Sequence, residues 1–300
     1  MTTKELEFLK PKQNKNKEIG SSEILLPLKD GRLAMASYQN NTIKIIDITD
    51  NFNCHLTLSG HTQMVKWIIQ LENERLVSNS EDNNIIIWNI TKYTYNIDFI
   101  IKNVYEKTCR DFCCLYQLSN QRFATAGYYD HKIQIYNSNK PYNLIQTLTI
   151  NEEDKVHLMI QLKGTETLLT FPGPQKWNLT TYQCEMKLNC LDTVRPHTII
   201  EMNNKLIVPD GFNKISIFDL STYTIECQIK NEKFGTIQGM ILLDDDTILA
   251  GNFQELLIKI NLKTKNFEIG EAESNVKDIV KIKENQIGIL FWKSLLILDY

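Results

Sequence analysis

Glycine and proline, the usual turn formers, are scarce in this chain: its 300 residues include 12 glycines and 7 prolines. Asparagine is abundant instead, with 29 copies. Asparagine tolerates the left-handed backbone conformation that many turns need, so it can replace glycine at such positions. The shortage of glycine therefore does not exclude a fold with many turns.

The chain also lacks paired cysteines. It has seven cysteines, an odd number, and no Cys-x-x-Cys sequence, which supports neither a disulfide framework nor a zinc ribbon. Cys109, Cys113 and Cys114 lie close together in the sequence. Cys113 and Cys114 would point to opposite faces of a strand, so they cannot both face one metal ion. We expect them to fill the core or a loop.

An excess of positive charge is missing, since 33 basic and 36 acidic residues give a formal charge of −3. This balance argues against general binding to nucleic acid or to an anionic membrane surface. No apolar run approaches the roughly 18–20 residues of a membrane span. The N-terminal residues (MTTKELEFLKPKQNKNK) lack the apolar segment of a secretory signal. We therefore expect a cytoplasmic or nuclear protein that does not associate with membranes.

Motifs for covalent or phosphate chemistry are missing as well. There is no Gly-x-Ser-x-Gly nucleophile elbow, no Gly-x-x-x-x-Gly-Lys loop and no Gly-x-Gly-x-x-Gly loop. The acidic run Asp244–Asp246 lacks the spacing of an EF-hand. The sequence therefore predicts a protein that is not an enzyme and that holds no cofactor and no metal.

What the chain does have is an internal repeat. Residues 67–89 (WIIQLENERLVSNSEDNNIIIWN) and 114–137 (CLYQLSNQRFATAGYYDHKIQIYN) share one pattern. An apolar run is followed by a polar turn, a second apolar run, a turn with Asn or Asp, and an alternating run. Seven copies of this pattern end about 42 residues apart on average, at Asp47, Asn89, Asn137, Asn178, Asp219, Asn261 and Asp299.

Short β-branched runs with frequent turns are typical of strands rather than of helix pairs. Each copy holds three such runs and a more polar fourth, and four-stranded units of about 40–45 residues are the blades of a β-propeller. The sequence therefore predicts an all-β fold, a seven-bladed β-propeller of four-stranded antiparallel blades, as one domain over residues 1–300. The predicted blades span residues 22–58, 65–101, 111–149, 156–188, 196–229, 237–269 and 276–300.

The last copy ends directly after its third strand, so its fourth strand is missing. Lys4–Leu9 (KELEFL) alternates between polar and apolar residues and precedes the first blade. We expect this N-terminal strand to pair into the last blade and close the ring, with residues 10–19 as a polar connector. In the fourth copy, Pro172-Gly173-Pro174 predicts a short or irregular blade.

The second copy resembles the WD40 repeat family. It has Gly60-His61 before its first strand, Asp82 in the turn before its third strand, and Trp88-Asn89 where the family has Trp-Asp. The resemblance implies a propeller that serves as a platform for binding other proteins. The other copies keep the period but replace most of the motif, and they have Ile46, Tyr136, Trp177, Phe218, Ile260 and Leu298 at the Trp position.

The resemblance also implies a structural hydrogen-bond chain in the second copy. In it, Asp82 accepts a hydrogen bond from His61, which contacts the hydroxyl of Ser78 or Ser80. That hydroxyl also reaches the indole N–H of Trp88. The same residue types suggest a hydrolase triad, but nucleophilic catalysis needs an exposed hydroxyl and an oxyanion site. A set placed between packed strands is expected to satisfy buried polar groups instead.

An enzyme with its site in the central channel is a separate alternative. Such a site needs clustered carboxylates or histidines with perturbed pKa values. The candidate residues are His157, His197 and Asp278.

Turns between the second and third strands of the blades, with the connectors into each first strand, share one face of a propeller, which we call the top face. Aromatic residues occur there in nearly every copy, and rigid aromatics are common interface anchors. Phe171 and Phe291 also lie in or beside these turns. The predicted partner-binding residues are Tyr38, Tyr128, Tyr129, Phe212, Phe253, Trp292, Lys66, Arg195 and Lys277.

These observations predict a non-catalytic scaffold that binds a peptide or protein loop on its top face. Basic residues there favour acidic or phosphorylated segments. We expect the chain to be a monomer within a larger complex. The alternative is a substrate-recognition adaptor in a ubiquitin ligase or kinase complex.

Overall fold

A computed structural model describes residues 13–18, 22–37, 40–105, 113–127, 130–151, 154–172, 175–187 and 199–300. Within these ranges the chain forms 28 strands and no helix, and hence no helix that is long and apolar enough to cross a membrane. The strands make seven four-stranded antiparallel sheets. The predicted fold class is confirmed, because the protein is a seven-bladed β-propeller.

The first four blades each follow the order of the chain, from a first strand to a fourth strand at the sheet edge. Blade 1 contains β2 (Ser22–Pro27), β3 (Leu33–Ser37), β4 (Ile43–Asp47) and β5 (Asn53–Leu58). Blade 2 contains β6 (Val65–Gln70), β7 (Leu76–Ser80), β8 (Ile85–Ile90) and β9 (Tyr95–Ile101). Blade 3 contains β10 (Cys113–Leu118), β11 (Arg122–Gly127), β12 (Lys132–Asn137) and β13 (Leu144–Thr149). Blade 4 contains β14 (Leu158–Gln161), β15 (Thr167–Phe171), β16 (Gln175–Asn178) and β17 (Gln183–Lys187).

The last three blades have the same strand order, except that blade 7 takes its fourth strand from the N-terminus. Blade 5 contains β18 (Ile200–Met202), β19 (Lys205–Pro209), β20 (Lys214–Asp219) and β21 (Thr224–Lys230). Blade 6 contains β22 (Ile237–Asp244), β23 (Thr247–Asn252), β24 (Leu256–Asn261) and β25 (Phe267–Glu271). Blade 7 contains β26 (Val276–Lys283), β27 (Gln286–Phe291), β28 (Ser294–Asp299) and β1 (Gln13–Glu18).

The N-terminal strand completes the last blade, as predicted, but at a different position in the chain. β1 pairs antiparallel with β28, from Gln13 opposite Asp299 to Glu18 opposite Ser294. The predicted strand, Lys4–Leu9, lies outside the described residues, and most of the predicted connector 10–19 is the strand itself. Alternation of apolar residues is a poor guide here. The fourth strand of a blade mainly supplies backbone hydrogen bonds to one neighbour, and a polar run can do the same.

The chain divides into two compact units. One, Leu28–Thr193, is called the central unit here, and the other, Met1–Pro27 with Val194–Tyr300, is called the terminal unit. In each unit, apolar side chains of neighbouring blades form shared clusters. Phe123 and Tyr136 of blade 3 pack with Val77 and Ile87 of blade 2 in the central unit. In the terminal unit, one cluster joins blades 5 and 6 and includes Ile207 and Ile260. A second cluster joins blades 6 and 7 and includes Leu249 and Ile289.

The residues at the Trp position occupy equivalent places in all seven blades. Trp88 on β8 lies opposite Leu76, and Trp177 on β16 lies opposite Leu168. The same third-strand position, opposite the start of the second strand, is taken by Ile46, Tyr136, Phe218, Ile260 and Leu298. All seven side chains are buried. The repeat thus preserves a core position even where the indole is lost.

Blade 4 keeps all four strands despite its prolines. β14 and β16 are short, with four residues each, and β15 ends immediately before Pro172. Gly173 and Pro174 lie outside the described residues. The proline therefore follows a strand, where its missing N–H removes no ladder hydrogen bond.

Two buried arginines connect neighbouring blades of the central unit. Arg32 of blade 1 donates to the backbone oxygen of Thr91 in blade 2 at 3.0 Å. Arg122 holds the equivalent position in blade 3, where it donates to the oxygen of Leu179 at 3.2 Å and pairs with Glu166 at 2.5 Å. Each arginine therefore fixes the turn between the third and fourth strands of the following blade.

Candidate functional site

The structure brings the four residues of the predicted hydrogen-bond chain together in blade 2. His61 Nδ1 lies 2.9 Å from Asp82 Oδ2, and His61 Nε2 lies 2.8 Å from Ser78 Oγ. The indole N–H of Trp88 donates to the same Ser78 oxygen at 2.8 Å. With the proton of the imidazole on Nδ1, each donor has one acceptor and no proton is left without a partner.

Asp82 anchors this chain because it also accepts backbone hydrogen bonds. Its Oδ2 accepts the N–H of Thr62 at 2.9 Å and its Oδ1 accepts that of Asn84 at 2.9 Å. Burial raises the pKa of Asp82, but the hydrogen bonds, that from His61 foremost, outweigh burial and hold the pKa below its ordinary value. The carboxylate therefore stays charged and fixes both the connector and the turn.

Ser78 is the hydroxyl of the chain, whereas Ser80 has another partner. Ser80 Oγ donates to the backbone oxygen of Gln63 at 2.9 Å. Ser78 is fully buried and its oxygen already accepts the indole N–H. A substrate carbonyl has no access to that oxygen, so the arrangement orders a blade and cannot start an acyl transfer.

Blade 4 provides a natural comparison with blade 2. Trp177 is buried at the position of Trp88, and the register places Thr170 where blade 2 has Ser78. The indole N–H of Trp177 nevertheless has no hydrogen-bond partner among the described residues. Blade 4 thus keeps the apolar contribution of the tryptophan and lacks the polar one.

A cluster of aromatic residues around a lysine occupies the top face of the terminal unit. Lys277 Nζ lies 4.3 Å from the ring centre of Trp292 in the β27–β28 turn and 5.0 Å from that of Phe253 in the β23–β24 turn. Phe212 takes the corresponding turn of blade 5 and is 62% exposed, while Trp292 is 38% exposed. Contacts between a cation and aromatic faces at these distances are attractive. The cluster therefore presents the exposed Trp292 ring and an ammonium group held in place, and Phe212 adds a further exposed ring on the corresponding turn of blade 5.

Lys277 projects from a β-bulge. Val276 pairs with Phe291 and Asp278 pairs with Leu290, which leaves Lys277 without an opposite residue. Lys66 occupies the same position in blade 2, between Val65 opposite Ser80 and Trp67 opposite Asn79. Bulges redirect side chains, and here the bulge turns each lysine toward the turn of its own blade. Lys66 meets a carboxylate there, Glu81 at 2.8 Å, whereas Lys277 meets aromatic rings.

The turns that carry Phe212 and Phe253 are held by a shared backbone element. Gly235 donates its N–H to Asn213 Oδ1 at 2.8 Å and accepts the N–H of Asn213 at 2.9 Å. Its left-handed φ of +55° favours glycine, and a Cβ at this position would displace the Gln254 amide. Asn252 donates to the oxygen of Phe234 at 2.9 Å. Both aromatic turns are therefore ordered before any partner arrives, which lowers the entropic cost of binding.

Several predicted partner-binding residues are not part of this cluster. Tyr38, Tyr128, Tyr129 and Arg195 lie outside the described residues. Lys66 belongs to the central unit and its charge is matched by Glu81. Phe171 and Phe291, which lie beside the top turns, are buried at the ends of second strands, where they fill the core.

Of the three channel candidates, His157 lies in the central unit immediately before β14, is partly buried and donates its backbone N–H to Phe171 at 2.7 Å. His197 lies outside the described residues. Asp278 is buried on β26 and accepts the backbone N–H groups of Leu25 at 3.1 Å and of Ile279 at 2.9 Å. Burial raises the pKa of Asp278 to about 7. These contacts place the carboxyl between the first strands of blades 7 and 1, within the terminal unit.

Metal-ligand side chains are also dispersed. Cys113 and Cys114 are buried in different clusters, Cys113 between blades 2 and 3 and Cys114 between blades 3 and 4. Cys109 lies outside the described residues. Over the described ranges, no three His, Cys, Asp or Glu side chains gather as a metal site requires.

Sequence reasoning missed the residues that order the top face. Asn213, Gly235 and Asn252 make the hydrogen bonds that hold the aromatic turns. The abundance of asparagine was a usable signal, because an Asn side chain can hydrogen-bond backbone groups in and around its own turn. Which asparagines would connect two blades depends on contacts between distant parts of the chain.

The sequence was compared with protein-family models and with curated proteins. No protein-family model matches the chain, and no curated protein matches it.

Proposed function

We propose that the protein is a non-catalytic interaction platform that binds a peptide or protein loop on the top face of its terminal unit. The observation that carries this proposal is the cluster of Phe253, Lys277 and Trp292, together with the exposed Phe212. Exposed aromatic side chains on ordered turns are the residues that most often dominate binding energy at protein interfaces.

The chemistry of the cluster favours a particular kind of segment. Trp292 is flanked by Lys277 on one side and by the exposed Lys293 on the other. A segment with an apolar or aromatic residue beside an acidic or phosphorylated residue would bury its apolar side chain on Trp292 or Phe212 and place its negative charge near these lysines.

The hydrogen-bond chain of blade 2 supports assignment to the WD40 kind of propeller. In that interpretation, His61, Ser78, Asp82 and Trp88 stabilise the scaffold and take no part in binding. The buried, fully engaged Ser78 is consistent with a scaffold that performs no chemistry. We propose that a single copy of the protein acts within a larger complex and that it binds neither nucleic acid nor a membrane.

Affinity capture from an extract of the source cells tests the proposal. The bait is the full chain, compared with a Phe212→Ala/Trp292→Ala double variant. Both side chains are exposed, so the variant should fold, which circular dichroism and thermal unfolding verify. We expect specific proteins captured by the wild type to be depleted about tenfold or more with the double variant, as for the loss of two interface anchors.

A matched control is available on the same chain. Tyr93 is 70% exposed and Lys92 Nζ lies 5.3 Å from its ring centre, but the pair lies in the turn between β8 and β9, away from the top turns. Tyr93→Ala should leave capture unchanged. Equal capture by the wild type and the double variant, or equal losses with Tyr93→Ala, would contradict the proposal.

A further inference from the structure

The exposed apolar side chains of the described residues are concentrated on two neighbouring strands of the central unit. Ten large apolar residues are exposed in the described part of the chain. Five of them lie on the fourth strands of blades 2 and 3, namely Ile97, Phe99 and Ile100 on β9 and Leu144 and Ile145 on β13. They do not share one face. Ile97 and Ile100 lie opposite Trp88 and Ile86, on the face of blade 2 beside Gly60. Phe99 and Leu144 lie opposite Ile87 and Tyr136, which face the space between blades 2 and 3. We call Phe99 and Leu144 the rim patch.

Other fourth strands are protected by charge or polarity, as exposed sheet edges usually are. β17 carries Glu185 and Lys187, β21 carries Glu226 and Lys230, and β25 carries Glu268 and Glu271. β5 has no such charge, but its exposed residues are Asn53, Cys54 and Thr57. β13 has no charged residue at all, and β9 has only Asp98.

The charge of Asp98 is not presented to solvent. Its side chain is 7% exposed and its carboxylate lies 2.6 Å from Lys140 Nζ, 2.6 Å from the Tyr142 hydroxyl and 3.4 Å from Arg75 Nε. Burial would raise the pKa of Asp98, but the hydrogen bonds, from Lys140 and Tyr142 above all, lower it below the ordinary value. Asp98 therefore ties β9 to blade 3 and does not guard the edge.

The rim patch is continuous with the core between blades 2 and 3. Phe99 lies opposite Ile87, and its ring centre is 5.6 Å from that of Tyr142. Leu144 lies opposite Tyr136. Ile87, Tyr136 and Tyr142 all belong to the cluster buried between the two blades. Phe99 and Leu144 thus extend that cluster to the surface, beside the hydrogen bond between Asp98 and Tyr142.

Charge at the borders of the patch indicates what covers it. Exposed lysines precede and follow β9, at Lys92 and Lys102, whereas Lys140, which precedes β13, is paired with Asp98. Apart from the engaged Asp98, no acidic residue occurs from Lys92 to Lys102 or from Lys140 to Ile150. A second copy of this chain that paired β9 with β9 antiparallel would bring Lys92 close to Lys102, and like charges repel. A segment with acidic residues beside apolar ones is complementary.

We propose that the rim patch is a second docking surface, for an apolar segment of another protein that is flanked by acidic residues. Side-chain burial rather than strand addition holds that segment. Asp98 forms a bulge in β9, since Ile87 pairs with Phe99 and Trp88 pairs with Ile97, and a bulge interrupts regular edge pairing. The segment inserts its apolar side chains beside Phe99 and Leu144, and its carboxylates lie near the bordering lysines.

Selection from a phage-displayed library of random short peptides, with the full chain as bait, tests this inference. We expect a family of enriched peptides with at least two large apolar residues flanked by Asp or Glu. A synthetic peptide of the enriched consensus should bind Phe99→Ser and Leu144→Ser about tenfold more weakly, as for interface anchors. Lys92→Glu/Lys102→Glu should weaken binding and reduce its salt dependence.

Two controls separate this surface from others. Met186→Ser removes an exposed apolar residue from β17 and should leave peptide binding unchanged. The Phe212→Ala/Trp292→Ala variant, which tests the top face, should also leave it unchanged. The inference is overturned if no such peptide family is enriched, or if the consensus peptide binds Phe99→Ser and Leu144→Ser as well as the wild type. Concentration-dependent dimerisation that Phe99→Ser abolishes would also overturn it, because a second copy would then cover the patch.

Discussion

The two buried tryptophans allow the hydrogen bond of an indole and its apolar packing to be compared as contributions to stability within one protein. Trp88 and Trp177 occupy equivalent positions and are both buried. Replacing either by Phe removes a similar ring area. Trp88→Phe also removes the hydrogen bond to Ser78, whereas Trp177→Phe removes a buried N–H without a partner.

The expected difference follows from the energetics of buried hydrogen bonds. Losing the Trp88 bond costs about 1 kcal/mol, and removing the unpaired N–H of Trp177 relieves about 1–3 kcal/mol. The packing losses cancel in the comparison, so Trp88→Phe should be less stable than Trp177→Phe by about 2–4 kcal/mol. With an unfolding entropy of about 2.1 cal/mol/K per residue, a chain of this length should show a difference of about 3–6 °C in Tm.

Thermal unfolding by circular dichroism, or calorimetry of both variants in parallel, measures this difference. Ser78→Ala should lower the Tm further than Trp88→Phe, because it leaves both His61 and Trp88 without their partner. Equal Tm values for Trp88→Phe and Trp177→Phe would refute the reasoning, since they would mean that the chain of hydrogen bonds contributes nothing to blade 2.

Two further predictions concern the terminal unit. The folded pKa of Asp278, about 7, lies above its ordinary value, so the folded state binds its proton more tightly, and this contribution to stability is full in acid and lost as the pH rises toward 7. Between pH 5 and 7, the free energy of unfolding measured in urea should fall by about 1.4 kcal/mol per pH unit in the wild type relative to Asp278→Asn. The same dependence on pH in both proteins would contradict this. Gly239→Ala should cost about 1–3 kcal/mol, because its Cβ would lie 2.5 Å from the backbone nitrogen of Ile279. Gly288→Ala meets only the ends of side chains, with Ile282 at 3.1 Å and Leu25 at 3.2 Å, and should cost less. An equal loss in both variants would show that close approach of the strands is not the cause.

The sequence predicted the fold well because the information is local. Alternating β-branched residues define each strand, and the period of the repeat defines the blade, so both can be read without knowing any long-range contact. The resemblance of the second copy to the WD40 repeat likewise allowed the hydrogen-bond chain of His61, Ser78, Asp82 and Trp88 to be anticipated. By contrast, the polar strand Gln13–Glu18 has no apolar alternation to reveal it.

The surfaces were harder to predict because they depend on neighbours from other blades. Phe171 and Phe291 belong to the same class of turn region as Phe212, yet both are buried and Phe212 is exposed. Lys66 and Lys277 share one bulge position, and only the residues facing them decide whether the charge is paired with Glu81 or lies against aromatic rings. The rim patch was missed because a fourth strand rich in Ile and Phe looks like any other strand in sequence.

Site-specific photo-crosslinking tests the central claim, that partners bind the top face of the terminal unit, most directly. A benzoyl-phenylalanine residue placed at Phe212, and separately at the exposed Met186 of β17, would be irradiated in living source cells and its adducts identified by mass spectrometry. We expect specific protein adducts from position 212 and none from position 186. No adduct at position 212, or the same adducts at both positions, would contradict the claim.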